Sequence, residues 1–489
     1  MLQHGRWRKT VDQTFASSVG DGSGSGSAGS GRGGSGRGGS GRGGSGRGGS
    51  GSGGDRPGGG GPGIDAGAVA ALAEEALDWR FKALPSAADG LTVRQYLATG
   101  PTLADLGTPL LTLDEGALDH NLRTMARWCA DAGMALAPHG KTTMAPALWQ
   151  AQLDAGSHGI TLANLPQLRV ARAFGVRRLL LANSLLDPAG LRWLAGELAD
   201  DADFAFTCWV DSVESVRLMD EALRAAGAER PVEVLVELGG PGGRTGARTV
   251  DGAVEIADAV RRAPTLRLAG IGGYEGALAH DASEGGLGTV RGYLRSLAEL
   301  HGRLAGRYAE DAAPVVTAGG SAYFDLVAEE LGALPEAFVV LRSGAYLAHD
   351  DGFYRGISPL ARGAEESGAG GGGALRGALH GWARVVSRPE PQLALLDAGK
   401  RDLPFDEGMP EPHLVRGGAE LTGTAARITA LNDQHAFLRD AGDLAPVGAV
   451  LRLGISHPCT AFDKWTLIPV LDDASAAEPK VTGLVRTFF

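Results

Sequence analysis

Apolar and polar positions alternate in a regular order from about residue 108 onward. Apolar runs short enough for strands occupy 135–140, 158–163, 177–182, 204–210, 232–238, 266–271, 314–318 and 337–341. Between them, at 145–155, 165–174, 188–198, 212–225, 249–263, 289–305 and 325–331, apolar residues recur every three or four positions, the spacing of one helix face. Helices of that length suit right-handed crossovers between parallel strands. Eight strand–helix units predict a closed α/β barrel of the (β/α)8 type, with an open doubly wound sheet as the alternative. Ahead of them, 108–113 is a short apolar run, and Asp114 offers an N-cap for a helix over about 115–132 with Leu118, Leu122, Met125 and Ala126 on one face.

The pattern changes near residue 363. A glycine-rich linker at 363–374 contains Glu365 and Glu366, and beyond it short β-like runs at 375–387, 393–397, 419–431, 435–438, 449–455 and 466–470 alternate with turn residues. The expected division is a leader at 1–64, a helical segment at 65–107, the barrel at 108–362, the linker, and a smaller β domain at 375–489.

Composition changes this picture at the N-terminus. Of 489 residues 78 are glycine, and the unit Gly-Arg-Gly-Gly-Ser repeats over 31–50. Such a segment has too little apolar surface to offset its conformational entropy and is expected to be disordered. Residues 1–64 carry a net +5 against −11 for the whole chain, which leaves −16 on the remainder. A body that acidic is not a nucleic-acid or membrane-surface binder; non-specific RNA binding by the arginine-glycine repeat is the only exception the composition offers. Three widely spaced cysteines, Cys129, Cys208 and Cys459, argue for a reducing compartment rather than a disulfide framework. No run approaches the roughly 20 apolar residues that span a bilayer, and the Gly/Ser-rich N-terminus lacks the apolar core of a secretory signal. A cytoplasmic location is expected.

Candidate chemistry collects where the strand runs end. The first run stops at His139, Gly140 and Lys141, and a lysine at a buried strand tip has a depressed pKa suited to Schiff-base chemistry. The fifth run leads to Arg244, the sixth to Tyr274, the seventh to Gly319, Gly320 and Ser321, and the eighth to Arg342, Gly344 and Ala345. The last two loops of such a barrel commonly hold a phosphate on glycine N–H groups and a helix N-terminus. His457 and Cys459, two apart, leave the same face of an extended segment, and imidazole with thiolate suits zinc.

Five segments in this order resemble one family: Pro-His-Gly-Lys-Thr (138–142), Gly-Tyr-Glu-Gly (273–276), Thr-Ala-Gly-Gly-Ser (317–321), Arg-Ser-Gly-Ala-Tyr (342–346) and His-Pro-Cys-Thr-Ala-Phe-Asp-Lys-Trp (457–465). The chain, over about 105–489, resembles the alanine-racemase-like pyridoxal phosphate enzymes, in the branch of D-serine dehydratases, D-threonine aldolases and bacterial amino acid deaminases. The resemblance implies that Lys141 holds pyridoxal 5'-phosphate covalently and that Ser321 with the Gly344 and Ala345 amides binds its phosphate. It further implies that Arg342 faces the pyridine nitrogen, that Tyr274 lies beside the ring, that Arg244 approaches the phenolic oxygen, and that His139 tunes the lysine.

The same resemblance makes His457 and Cys459 the metal ligands, with zinc or else manganese as the ion; Asp463, in the same segment, is either the residue that orients His457 or a surface acid. Aldolases of this branch carry a carboxylate where Cys459 stands, so the cysteine points to the dehydratases. The implied reaction is β-elimination from a small D-β-hydroxy amino acid, D-serine first, to pyruvate and ammonia, with D-threonine aldolase chemistry or a non-catalytic cofactor-binding regulator as alternatives. A homodimer is implied, in which the β domain of one chain closes the barrel mouth of the other.

Overall fold

The structure is a computed structural model that describes residues 63–309, 312–362 and 373–489. Apart from Gly63 and Ile64, the expected disordered leader lies outside the described residues, as do residues 363–372 of the linker. Among the described residues no helix is long and apolar enough to cross a membrane.

After β1 (Leu110–Asp114), the eight anticipated strands form in order: β2 (Ala135–Leu136), β3 (Ile160–Leu162), β4 (Arg178–Leu181), β5 (Ala205–Val210), β6 (Val232–Leu238), β7 (Leu266–Gly273), β8 (Val315–Ala318) and β9 (Phe338–Leu341). They make one parallel sheet in the order β2-β9-β8-β7-β6-β5-β4-β3. The sheet curls until its ends meet, where the N–H groups of His158, Thr161 and Gly140 donate to Leu136, Pro138 and Thr161 at 2.7, 2.9 and 2.8 Å. The barrel reading therefore holds over the open sheet. Ala137, Leu180, Trp209, Leu235, Ala269, Val315 and Val340 form a buried cluster of strand residues separate from the main core between strands and helices.

Helix starts follow their caps. Asp114 accepts from Ala117 N–H at 2.8 Å, and Ser212 and Ser215 form a capping box at the helix Val213–Ala225. The helix expected to begin near 289 begins at Glu284, because Ser283 caps it; Gly285, Gly286 and Gly288 hide that first turn from an apolar pattern.

The second sheet has nine strands: β1 with β10 (Leu379–Glu390), β11 (Leu393–Leu396), β12 (Glu411–Val415), β13 (Arg427–Leu431), β14 (Ala436–Arg439), β15 (Val450–Gly454), β16 (Leu467–Leu471) and β17 (Val481–Arg486). β1, which precedes the barrel strands in sequence, pairs with β10 and β16 rather than with them. β12 and β17 go beyond the sequence reading, and the run at 419–431 is a strand only over 427–431. Pro412 interrupts β12, as proline does in strands that are not central. Asp114 ties the two parts together: one carboxylate oxygen caps the helix that enters the barrel, and the other accepts from Ala474 N–H at 2.8 Å.

Candidate active site

The C-terminal ends of the barrel strands, the loop after β9 and the segment after β15 enclose a cavity of about 440 Å³. His139, Lys141, Arg244, Tyr274, Gly320, Ser321, Arg342, Gly344, Ala345, His457 and Cys459 all line it. Gly319 and Asp463 are the predicted residues outside the lining. Another cavity of about 400 Å³ opens at the N-terminal ends of the strands, the face on which such barrels carry stability rather than chemistry.

Lys141 projects into the cavity from the short stretch that continues β2. Burial is the largest influence on its amine and lowers its pKa; Arg244 and Arg342 push the same way, and the nearby Cys459 opposes them. His139 is held well below the ordinary histidine value by burial and then by Lys141, so its ring is neutral. Its Nδ1 is buried without a hydrogen-bond partner.

Arg342 is only 1% exposed. It donates from Nη1 to Thr317 Oγ1 at 2.6 Å and from Nη2 to the Gly273 carbonyl, and its guanidinium lies 5.0 Å from the Trp209 ring centre. Its Nε is buried and unpaired. Arg244 stacks on Tyr274, 4.7 Å from the ring centre. Burial, reinforced by Glu275, pushes the Tyr274 phenol up to about 12, so it stays protonated.

The glycine-rich turn after β8 is arranged differently from expectation. Glu275, fully buried, accepts from Gly319 N–H and Gly320 N–H, each at 2.9 Å, so these two amides are already taken. The N–H groups of Ser321, Gly344 and Ala345 find no acceptor among the described residues, and the Ser321 hydroxyl pairs with Ser343 at 3.0 Å. Gly344 packs so closely that a Cβ there would lie 2.5 Å from the His139 carbonyl oxygen. An anion cradle thus remains on Ser321, Gly344 and Ala345, while Gly319 and Gly320 shape the turn. Glu275 belongs to the Gly-Tyr-Glu-Gly segment, and its role depends on the turn that faces it, 44 and 45 residues further on.

Cys459 and His457 lie together in the lining of the same cavity, beside Thr142. Burial alone would keep the Cys459 thiol protonated, but its hydrogen bond with His457, that imidazole's charge, Thr142 and Lys141 together lower its pKa. Thr142 Oγ1 stands 3.3 Å from Cys459 Sγ. Burial also disfavours charge on His457, and the bonds and charges of Cys459 and Asp406 outweigh it, raising its pKa to about 9. Asp406 Oδ2, not Asp463, meets His457 Nδ1, at 2.8 Å; Asp463 approaches Lys464 at 3.8 Å instead. Thr460 Oγ1 donates to the other Asp406 oxygen at 2.5 Å. Asp406 lies in an irregular connection after β11, where no spacing marks it. The segment bearing His457 and Cys459 reaches the cavity of its own chain.

Comparison with known proteins places the fold in a family. Residues 113–347 match the family described as alanine racemase, N-terminal domain, and residues 378–471 match the putative serine dehydratase domain. A D-threonine aldolase of Arthrobacter sp is 31% identical over 386 residues, 78% of this chain and 94% of that protein. The crystal structure of a D-threonine aldolase from Filomicrobium marinum has 28% identity and a TM-score of 0.66, covering 79% of this chain and 97% of that one. In fold, a D-threo-3-hydroxyaspartate dehydratase from Delftia sp. HT23 is also similar, at 23% identity and a TM-score of 0.61 over 79% and 99% of the two chains. The chain therefore belongs to the D-threonine aldolase and D-serine dehydratase branch of the alanine-racemase-like, fold-type III pyridoxal phosphate enzymes.

Proposed function

We propose that this lyase is a zinc-dependent D-serine dehydratase that converts D-serine to pyruvate and ammonia by β-elimination. The carrying observation is the pairing of Cys459 with His457 in the same cavity as the cofactor lysine. A thiolate–imidazole pair is a zinc donor set, and two protein ligands leave positions open for substrate.

The residues present fit both implied groups. The unpaired Arg342 Nε and the free amides of Ser321, Gly344 and Ala345 are donors waiting for a ring nitrogen and a phosphate. Lys141 would hold pyridoxal phosphate, which supplies the electron sink that makes the substrate Cα proton acidic. His457 and Cys459 would hold zinc, which as a Lewis acid eases departure of the β-oxygen.

The chain's own groups account for the proton traffic. Lys141, whose amine burial keeps less basic than an exposed lysine, takes the Cα proton. Loss of that proton and of hydroxide from Cβ leaves 2-aminoacrylate, which water converts to pyruvate and ammonia. Asp406 holds the His457 ring with its other nitrogen directed away from Asp406, and Arg244 holds Tyr274 against the cavity wall.

A second reading is D-threonine aldolase chemistry, in which the β-hydroxyl is deprotonated and the Cα–Cβ bond breaks; the 31% identity to the Arthrobacter enzyme favours it. Purified protein is given D-serine, D-threonine and their L forms, with keto acid and aldehyde followed separately, with and without chelator. Keto acid from the D forms, lost on chelation and restored by zinc, is the expected result. Aldehyde plus glycine would replace the dehydratase reading with the aldolase one.

A further inference from the structure

Away from the cavity, Asp351 in the loop after β9, His380 on β10 and His413 on β12 converge, with one donor atom of each within 4.8 Å of the others. His380 and His413 are buried, at 6% and 8% exposure. None of the three side chains hydrogen-bonds to a described residue, and His380 Nδ1 and Asp351 Oδ2 are fully buried without a partner. Each buried polar atom left unpaired costs about 1–3 kcal/mol. Two such atoms beside the His413 ring are unfavourable unless something binds there.

The strand register builds this convergence. His380 stands opposite Gly454 on β15, and Gly454 in turn stands opposite Glu411 on β12. The β12 register shifts between Pro412 and Leu414, which makes His413 the extra residue of a bulge, the device that re-aims a side chain off the strand alternation. Gly454 leaves the space between them: a Cβ there would lie 2.4 Å from His413 Cε1 and 2.8 Å from Asp351 Cβ.

We propose that Asp351, His380 and His413 form a second metal site, for a divalent transition-metal ion such as zinc, distinct from His457 and Cys459. Two imidazoles and a carboxylate supply three protein ligands of the kind zinc takes. Bond lengths near 2.1 Å place tetrahedral donors about 3.4 Å apart, so the side chains close in by about 1 Å on binding. Burial, then the charge of Arg452, holds His380 neutral with a pKa of about 3, and burial likewise lowers His413, so both rings keep a free lone pair. The ion joins a barrel loop to the β sheet. Asp351 N–H already donates to Ile455 O at 3.0 Å and Phe353 N–H to Ser456 O at 3.2 Å, immediately before His457. The second site thus anchors the segment that carries the first.

The test is cobalt binding to the full-length protein after removal of bound metal, followed by equilibrium dialysis and absorption spectroscopy. Two Co2+ per chain are expected, one giving a thiolate-to-metal charge-transfer band from Cys459 and one giving d–d bands only. The His457→Ala/Cys459→Ala double variant should keep one Co2+ without the charge-transfer band, and adding His380→Gln should abolish it. Zn2+ should also raise the melting temperature of the double variant, a readout that needs no further substitution. A single Co2+ in the wild type that vanishes in the double variant, with no melting shift on adding Zn2+, would overturn the proposal. A single Co2+ without a charge-transfer band, retained in the double variant, would support this site while removing the metal from the proposed dehydratase centre.

Discussion

Asp406 Oδ2 lies 2.8 Å from His457 Nδ1, and this one contact fixes which imidazole nitrogen is left for a metal. A carboxylate behind a ligating histidine orients the ring and raises its basicity, and losing it typically costs 10–100-fold in metal affinity. Asp406→Ala is expected to weaken zinc binding by about that factor, read by competition with a chromogenic chelator. Asp463→Ala should leave the affinity unchanged.

Lys141→Ala removes both the attachment for pyridoxal phosphate and the proposed base. The variant is expected to lose the visible absorption of the bound cofactor and to lose turnover by at least about 10²–10⁴-fold, the usual contribution of general acid–base catalysis. An unchanged spectrum would place the attachment elsewhere.

Glu275 is fully buried and accepts two backbone N–H groups with one carboxylate. Glu275→Gln offers a single acceptor oxygen and turns an NH2 group toward the other amide. The expected loss is about 1–3 kcal/mol of stability, seen as a lower urea midpoint, together with weaker retention of the cofactor. A variant as stable as the wild type would show that the turn after β8 does not depend on this carboxylate.

Glu237 gives a pH-dependent case. Burial raises its pKa from 4.5 to about 7 against the hydrogen bond from Thr245 Oγ1 at 3.0 Å. Between those two values the folded protein keeps a proton that the unfolded chain has released, so stability falls as pH rises through the window. Glu237→Gln keeps an acceptor for Thr245 and removes the titration. Its stability gain should be absent below pH 4.5 and complete above pH 7, reaching at most about 3 kcal/mol. Urea melts at pH 4 and pH 8 measure it, and an equal gain at both would contradict the assignment.

Much of the site was legible because strand ends are local features. His139, Lys141, Tyr274, Ser321 and Arg342 each close an apolar run, and a parallel barrel brings all such ends to one mouth whatever the loop details. Hydrophobic periodicity therefore determined both the eight strands and the residues that face one another. The spacing of His457 and Cys459 was a poorer guide, because the extended segment it assumed is a helical turn over Cys459–Phe462 with Pro458 already helical; the segment His-Pro-Cys-Thr-Ala-Phe-Asp-Lys-Trp marked the pair instead.

Contacts between groups distant in sequence were decided only by the tertiary structure. Asp406 meets His457 across 51 positions, and Glu275 takes the Gly319 and Gly320 amides across 44 and 45, pairings that no local spacing encodes. β1 has the composition of any buried strand; whether it joins the barrel or the second sheet depends on which edge is free when the chain closes, and here β10 and β16 take it. The cluster of Asp351, His380 and His413 likewise exists only because three strands and a loop align around Gly454. Sequence periodicity sets which face of an element is buried, while the partner across that face is chosen by the packing of the whole chain.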